Sequence, residues 1–325
     1  MSNFSVSRNS FIRFGFSALL VFALAAVSFA QTPPANTLRN ALDYDGDKKA
    51  DYVVVRPADN NWFISKSDGT GFTITNFGLA DVDTPAPGDY DGDGKGDIAV
   101  WRDTNGTFFY LESSTGAFKG FQFGVTNDEV AARDYDGDGR TDFAVVRETG
   151  NNLIWFIINS STGSFRSEQF GISTDFIAPG DYDGDGKFDL AVSRATSGTS
   201  PATIFVLGSR AGFSSTQFGI GSDSVAPGDY DGDGRTDLAV VRETGNDLIW
   251  YVLQSSNSAL TVAQFGTSST DFLAQNDYDG DGKTDLAIWR DTTGTFFVRR
   301  SSGSGFSNFQ WGQSADLPVA SYDTH

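Results

Sequence analysis

The chain has 325 residues, no Cys, a single His (His325) and a net charge of −19, from 23 Lys and Arg against 42 Asp and Glu. That inventory excludes disulfide scaffolds, Cys-ligated zinc, iron–sulfur clusters and Cys nucleophiles, and leaves no histidine inside a fold for a triad or a zinc hydrolase. The negative charge argues against a nucleic-acid partner, whose phosphates need a basic surface.

In chain order, the first element is a leader. Arg8 and Arg13 stand without a neighbouring acid, Phe14 to Phe29 is apolar, and Ser28-Phe29-Ala30 is a small-x-small cleavage pattern. This predicts a secretory signal peptide over residues 1–30, followed by one domain over 31–325 with no second apolar span. The expected location is secreted, periplasmic or cell-surface. An exported chain without Cys needs something other than disulfides to hold it together.

The domain is a repeat. DYDGDKKAD begins at Asp43, and close copies begin at Asp89, Asp134, Asp181, Asp229 and Asp277, spaced 46, 45, 47, 48 and 48 residues apart. A broken seventh copy is Ser321-Tyr322-Asp323. After each motif comes an apolar run ending in Arg (YVVVR, IAVWR, FAVVR, LAVSR, LAVVR, LAIWR), then a polar turn and an aromatic-rich run. A second polar turn follows, and a run ending in Phe-Gly, or Trp311-Gly312 in the last unit. Runs of four to eight Val, Ile, Phe, Tyr and Trp residues bounded by Gly, Ser, Thr and Asn read as strands. The first run lacks alternation, as a strand buried on both faces should, and Ala recurs at its second position (Ala99, Ala144, Ala191, Ala239, Ala287). No sustained 3.6-residue period is present, so almost no helix is expected. Four strands per unit at this period predict an all-β fold, a β-propeller of six four-stranded blades, with seven blades or an incomplete ring as the alternative. The segment Asp316 to Tyr322 is expected to overlap or replace the N-terminal strand around Thr37 to Ala41 as a closing clasp.

Phe-Gly at a strand end, then Ala-Pro-Gly, then Asp-x-Asp-Gly-Asp-Gly-x-x-Asp resembles the FG-GAP/VCBS repeat over about residues 36 to 325. The resemblance implies the propeller of integrin α chains and of many exported bacterial proteins, and an adhesion or protein-interaction role. Fold alone does not specify activity.

The Asp motif reads as a calcium loop. Its acids are Asp43, Asp45, Asp47 and Asp51; Asp89, Asp91, Asp93 and Asp97; Asp134, Asp136, Asp138 and Asp142; Asp181, Asp183, Asp185 and Asp189; Asp229, Asp231, Asp233 and Asp237; and Asp277, Asp279, Asp281 and Asp285. Carboxylates at positions 1, 3, 5 and 9 and a carbonyl at position 7 can form an oxygen shell, while Gly at 4 and 6 lets the backbone reverse. An EF-hand would need Glu at position 12, where this chain has Val54, Val100, Val145, Val192, Val240 and Ile288. So many acids in nine residues repel one another unless a cation is bound. About six Ca²⁺ ions are expected, and Mg²⁺ suits an all-protein cage less well. The first loop carries Lys48 where the others have Gly, which marks it as the least suited to the ion.

Arg56, Arg102, Arg147, Arg194, Arg242 and Arg290 stand at position 14, followed in four units by Asp103, Glu148, Glu243 or Asp291. They read either as a ring for an anionic ligand or as one structural pair per blade. The aromatic runs read either as sugar platforms or as core between blades. No pair of acids stands apart as a catalytic pair, so a non-catalytic module is expected, with a carbohydrate-directed protein (lectin, lyase or hydrolase) as the alternative. The expected partner is a protein or glycan on a cell surface or in the medium. The fourth unit has the most distinctive turn, Ala195 to Ala202, and a partner is expected on that rim.

Overall fold

The computed structural model describes residues 41–80, 82–303 and 305–320. The leader at 1–30, all but the last residue of Thr37 to Ala41, and Ser321-Tyr322-Asp323 lie outside the described residues.

Six four-stranded antiparallel blades form the propeller. β1 (Tyr52–Arg56), β2 (Asn61–Ser65) and β3 (Phe72–Asn76) belong to blade 1. Blade 2 holds β4 (Asp83–Pro85), β5 (Ile98–Arg102), β6 (Thr107–Leu111) and β7 (Phe118–Gln122). Blade 3 holds β8 (Glu129–Val130), β9 (Phe143–Thr149), β10 (Asn152–Ile158) and β11 (Phe165–Ile172). Blade 4 holds β12 (Phe176–Ile177), β13 (Leu190–Arg194), β14 (Pro201–Gly208) and β15 (Gly212–Ile220). Blade 5 holds β16 (Ser224–Val225), β17 (Leu238–Thr244), β18 (Asp247–Leu253) and β19 (Leu260–Thr267). Blade 6 holds β20 (Asp271–Leu273), β21 (Leu286–Arg290), β22 (Thr295–Arg299) and β23 (Phe306–Gln310). The last strand, β24 (Leu317–Pro318), is the innermost strand of blade 1. Among the described residues the helical ones are a 3₁₀ turn at Asp291–Thr293 and the pair Ala41 and Leu42.

Burial follows the apolar runs. The second strand of each blade is buried along its middle, and the outer strand is exposed along half of its length or more. In five blades the same facing pair of the second and third strands carries a buried Trp on one strand or the other, with a Phe opposite it in blades 2 and 6. The facing pairs are Val55–Trp62, Trp101–Phe108, Val146–Trp155, Val241–Trp250 and Trp289–Phe296. Each Trp is essentially buried, and its indole N–H needs a partner there. That partner is the carbonyl of the Phe-Gly or Trp-Gly residue: Trp62 to Phe77 at 3.1 Å, Trp155 to Phe170 and Trp250 to Phe265 at 2.8 Å, and Trp289 to Trp311 at 3.0 Å. The aromatic runs are thus mainly core, with Trp62, Trp155 and Trp250 fully buried.

The C-terminal segment closes the ring. Leu317 and Pro318 pair with Val55 and Val54, and the Val319 N–H donates to the Val53 carbonyl at 3.0 Å. Leu42 then takes up the inner edge, accepting the Asp51 N–H at 2.8 Å just as Gly88 accepts that of Asp97. Blade 1 therefore combines the two ends of the domain. The Trp311 indole N–H adds a bond to the Phe63 carbonyl at 3.0 Å.

Neighbouring blades meet through their Asp motifs. The N–H of position 8 donates to the position 1 carbonyl of the preceding blade, at 2.6–2.8 Å, all the way round: Gly96 to Asp43, Thr141 to Asp89, Phe188 to Asp134, Thr236 to Asp181, Thr284 to Asp229 and Ala50 to Asp277. The seam also explains the recurring Gly before the motif. A Cβ on Gly88, Gly180 or Gly228 would come within 2.4–2.7 Å of Thr141, Thr236 or Thr284 of the next blade. Where the next blade offers only Gly96 or Ala50, the residue before the motif is Leu42 or Asn276 instead. Large faces small at five of the six seams, as close packing demands, and at the sixth Arg133 stands before the motif and Phe188 at position 8.

Candidate metal centres

In blades 2 to 6 each loop joins the innermost strand to the second, and in blade 1 the loop leads into β1 while the innermost strand is β24. The turn between the third and outer strands therefore shares its rim, and the turn after the Arg strand lies on the opposite one.

Within a loop the four acids have different tasks. The position 1 carboxylate is the hub. Asp134 accepts the N–H of Gly137 at 2.6 Å and of Gly139 at 2.8 Å, and the arrangement recurs in the other loops. In the first loop Lys48 adopts φ 70° where the equivalent Gly residues have φ 84–94°, and its N–H still reaches Asp43 at 2.7 Å. The first loop keeps its geometry at the expense of left-handed strain. The position 9 carboxylate bridges the loop to the adjacent hairpin. Asp142 accepts the Tyr135 N–H at 2.9 Å and the Ser160 N–H at 2.6 Å. Position 3 closes a turn onto the N–H of position 5 and takes a hairpin hydroxyl, as Asp136 takes Ser161 at 2.5 Å. Position 5 takes the N–H of position 7 and another Ser hydroxyl, as Asp138 does from Arg140 at 2.8 Å and Ser160 at 2.9 Å.

Three of these acids converge. In the first five loops the carboxylates of positions 1, 3 and 9 bring ligand oxygens within 4.8 Å of one another: Asp43, Asp45, Asp51; Asp89, Asp91, Asp97; Asp134, Asp136, Asp142; Asp181, Asp183, Asp189; and Asp229, Asp231, Asp237. The position 5 acids, Asp47, Asp93, Asp138, Asp185 and Asp233, are not in these triads. In the sixth loop Asp277, Asp279, Asp281 and Asp285 make the same backbone and serine bonds. These Asp clusters can hold metal ions.

Electrostatics favours a cation there. Burial pushes the position 9 carboxyl up to about 7 in Asp51, Asp142, Asp189 and Asp285, and to about 6 in Asp97 and Asp237, against the backbone N–H bonds that lower it. Burial raises position 1 as well, to about 6 in Asp134 and Asp181. A divalent cation would supply the charge that lost water no longer provides. The donor set, all carboxylate, is that of a hard ion. In the fourth loop, Asp183 Oδ1 is buried without a hydrogen bond, an orphan that an ion would satisfy.

The Arg residues form structural pairs. Each guanidinium makes two bonds to an Asp at the start of, or immediately before, the innermost strand of its own blade: Arg102 to Asp83, Arg147 to Asp128, Arg194 to Asp175, Arg242 to Asp223 and Arg290 to Asp271, all at 2.7–2.8 Å. Arg56 pairs with Asp316 at 2.7 and 2.9 Å, which ties the C-terminal segment into blade 1. The partner is thus not the acid that follows the Arg in sequence. Each Asp also accepts the N–H of the residue after Phe-Gly or Trp-Gly, as Asp175 does from Ile172 at 2.8 Å. Each guanidinium lies over a third-strand ring, such as Phe156 or Tyr251. A ring of free Arg for an anionic ligand does not form.

One feature of the inner strands was not legible in the sequence. The residue after each Arg-paired Asp lies at or next to the start of the innermost strand, and the six are Thr84, Glu129, Phe176, Ser224, Phe272 and Leu317. Thr84, Glu129, Phe176 and Ser224 line a cavity of about 870 Å³, in which Phe176 is 65% exposed. Aligning the repeats on that Asp would have revealed the variation.

An all-β six-bladed propeller with an acidic loop at every blade is thereby defined. Residues 43–100 and 134–192 match the FG-GAP-like repeat and residues 223–250 match the FG-GAP repeat, and the six-bladed fold is consistent with an FG-GAP repeat protein. No curated protein matches the chain. Among solved structures it is similar to a functionally unknown protein from Desulfotomaculum acetoxidans, at 15% identity and TM-score 0.44 over 81% of each chain. A protein from Lactobacillus plantarum is similar at 10% identity and TM-score 0.44, over 81% of this chain and 85% of that one. The exotype rhamnogalacturonan lyase YesX is similar at 14% identity and TM-score 0.35, over 78% of this chain and 57% of that one.

Proposed function

We propose that the chain is an exported, calcium-stabilised propeller that binds a partner and catalyses nothing, with its binding face on the rim opposite the Asp loops. The observation that carries this reading is the cavity at the innermost strands. Packing repeats the same residue types at the hub Asp, the Arg pair and the Phe-Gly turn, yet the residues heading the inner strands differ from blade to blade. Variation on a repeated scaffold is what recognition of one partner requires.

The long turn of blade 4 supports the same face. Ser200 organises it, accepting the N–H of Thr196 at 3.0 Å and of Ser197 at 2.9 Å, and the Ser222 N–H donates to the Gly198 carbonyl at 2.8 Å. Ser222 also lines the cavity, so the turn stands at its mouth. A protein partner inserting an apolar side chain onto Phe176 suits this arrangement. A glycan is the second reading, favoured by the same exposed ring beside Asn127 and Ser222. Export rests on the N-terminal sequence. No helix among the described residues is long and apolar enough to cross a membrane.

The test uses the calcium-loaded protein and its Phe176→Ser variant on a glycan array and against extracellular proteins. The variant should keep the parent melting temperature and lose the captured ligand. Undiminished binding by Phe176→Ser would move the face elsewhere.

A further inference from the structure

The six loops are not equivalent, and blade 4 is the exception. In blades 2, 3, 5 and 6 the position 3 carboxylate meets a serine hydroxyl: Ser114, Ser161, Ser256 and Ser302, at 2.5–2.6 Å. In blade 1 that place belongs to Asp68, whose N–H reaches Asp45 at 3.2 Å. In blade 4 the hairpin is tighter, with Gly208 paired directly with Gly212, and Arg210 holds the place. The N–H groups of Arg210 and Ala211 both donate to Asp183 Oδ2, at 2.9 and 2.7 Å. The Arg210 guanidinium bonds the Asp183 carbonyl, and its Nη2 lies 3.9 Å from Asp183 Oδ1. Asp183 is consequently buried, 8% exposed, where its counterparts are half-buried.

We infer that Arg210 is a built-in counter-ion that makes the fourth loop the weak calcium site, so that five loops fill before it. This rests on the calcium reading of the loops. The triad Asp181, Asp183, Asp189 remains assembled, and the buried Oδ1 without a hydrogen bond still faces a positive group. That group is a guanidinium, which a divalent cation must displace or tolerate at close range, where like charges repel. In the second loop the Arg140 guanidinium also bonds a position 3 carbonyl, that of Asp91, at 2.7 Å, but among the described residues only Arg210 also comes within 4 Å of a position 3 carboxylate; the first loop has Asp68 at the place of Arg210.

The experiment is a titration of the metal-free protein with Ca²⁺ alone, read by calorimetry and by counting bound ions at fixed free calcium. Wild type should bind five ions in one class and a sixth at least about tenfold more weakly. Arg210→Gln, which removes the charge and keeps the hairpin length, should bring the sixth ion into the main class. Arg235→Gln, a position 7 side chain of the next loop, should leave a weak sixth site in place. Six equivalent ions in wild type would overturn the inference while leaving calcium binding intact. A sixth ion that stays weak in Arg210→Gln would also overturn it. No bound calcium at millimolar concentration would instead remove the calcium reading itself.

Discussion

Blade 1 and blade 4 depart from the common repeat in opposite ways. Blade 1 is assembled from both ends of the domain, carries Lys48 in a left-handed conformation and places the Asp68 carboxylate beside its loop. Blade 4 is continuous, has the regular Gly186 at that position and places a guanidinium beside its loop. The first loop is handicapped by backbone strain, the fourth by charge. Strain of roughly 1–2 kcal/mol raises the energy of the loop with or without an ion. A fixed positive charge acts directly against the ion. The comparison therefore separates two properties that the motif alone merges: how well a loop folds and how well it binds.

The largest expected effect comes from removing calcium, which treats all blades alike. At tenfold excess over the dissociation constant each filled site contributes about 1.4 kcal/mol. Several such sites rival the stability of a whole domain. Excess chelator should lower the melting temperature by many degrees, followed by circular dichroism. An unchanged melting curve would contradict a structural role for the ion.

A pH series on metal-free protein should give the next largest effect. Native Asp51, Asp142, Asp189 and Asp285 hold protons up to about pH 7 that an unfolded Asp releases near its ordinary 3.8. The native state then binds more protons, so stability is fullest below about pH 4 and falls as pH rises through about 7. Calcium should reverse that slope, since binding needs the ionised carboxylates. Because Asp51 and Asp189 are raised alike, this effect should not distinguish blade 1 from blade 4. A metal-free protein whose melting temperature rises from pH 5 to pH 8 would contradict the assignment.

The Arg pairs sharpen the comparison. Asp316→Ala and Asp175→Ala remove the same contact from blades 1 and 4, each leaving a partly buried guanidinium unpaired at about 2–3 kcal/mol. Only Asp316→Ala also loosens the ring closure, so it should cost about 1 kcal/mol more in urea unfolding, a margin of the size of one hydrogen bond. Equal losses would mean that the clasp is held by β24 and Trp311 without help from the ion pair.

The smallest effect belongs to Lys48→Gly. Relief of left-handed strain, less the greater freedom of Gly in the unfolded chain, should stabilise by up to about 1 kcal/mol. Thermal unfolding with and without calcium checks it. A gain seen only with calcium would mean that Lys48 disturbs the ion rather than the backbone.

Much of this architecture was legible in the spacing of the Asp motif, because a blade needs four strands and the loop recurs at the same place in each. Lys48 was legible too: its strain followed from one missing Gly, and φ 70° bears that out. The Arg partners were not. Sequence proximity pointed to Glu148 beside Arg147, whereas the pleat turns neighbours to opposite faces and the β8–β9 register, with Glu129 facing Val146, brings Asp128 to Arg147 instead. Arg210 was hidden for a related reason. It follows the motif by more than twenty residues and meets Asp183 only because a short hairpin folds back over the loop. The inner-strand residues Thr84, Glu129, Phe176, Ser224, Phe272 and Leu317 were overlooked because strands of two or three residues give no periodic signal.

The central claim, that the Asp loops are calcium centres holding the ring together, is tested most directly by a crystal structure grown with CaCl₂ and read for anomalous scattering. The account predicts peaks in loops 1, 2, 3, 5 and 6, each about 2.3–2.6 Å from carboxylate oxygens of positions 1, 3 and 9, and a weaker peak or none in loop 4 beside Arg210. Asp triads in the same arrangement with no anomalous peak in any loop at millimolar calcium would contradict it.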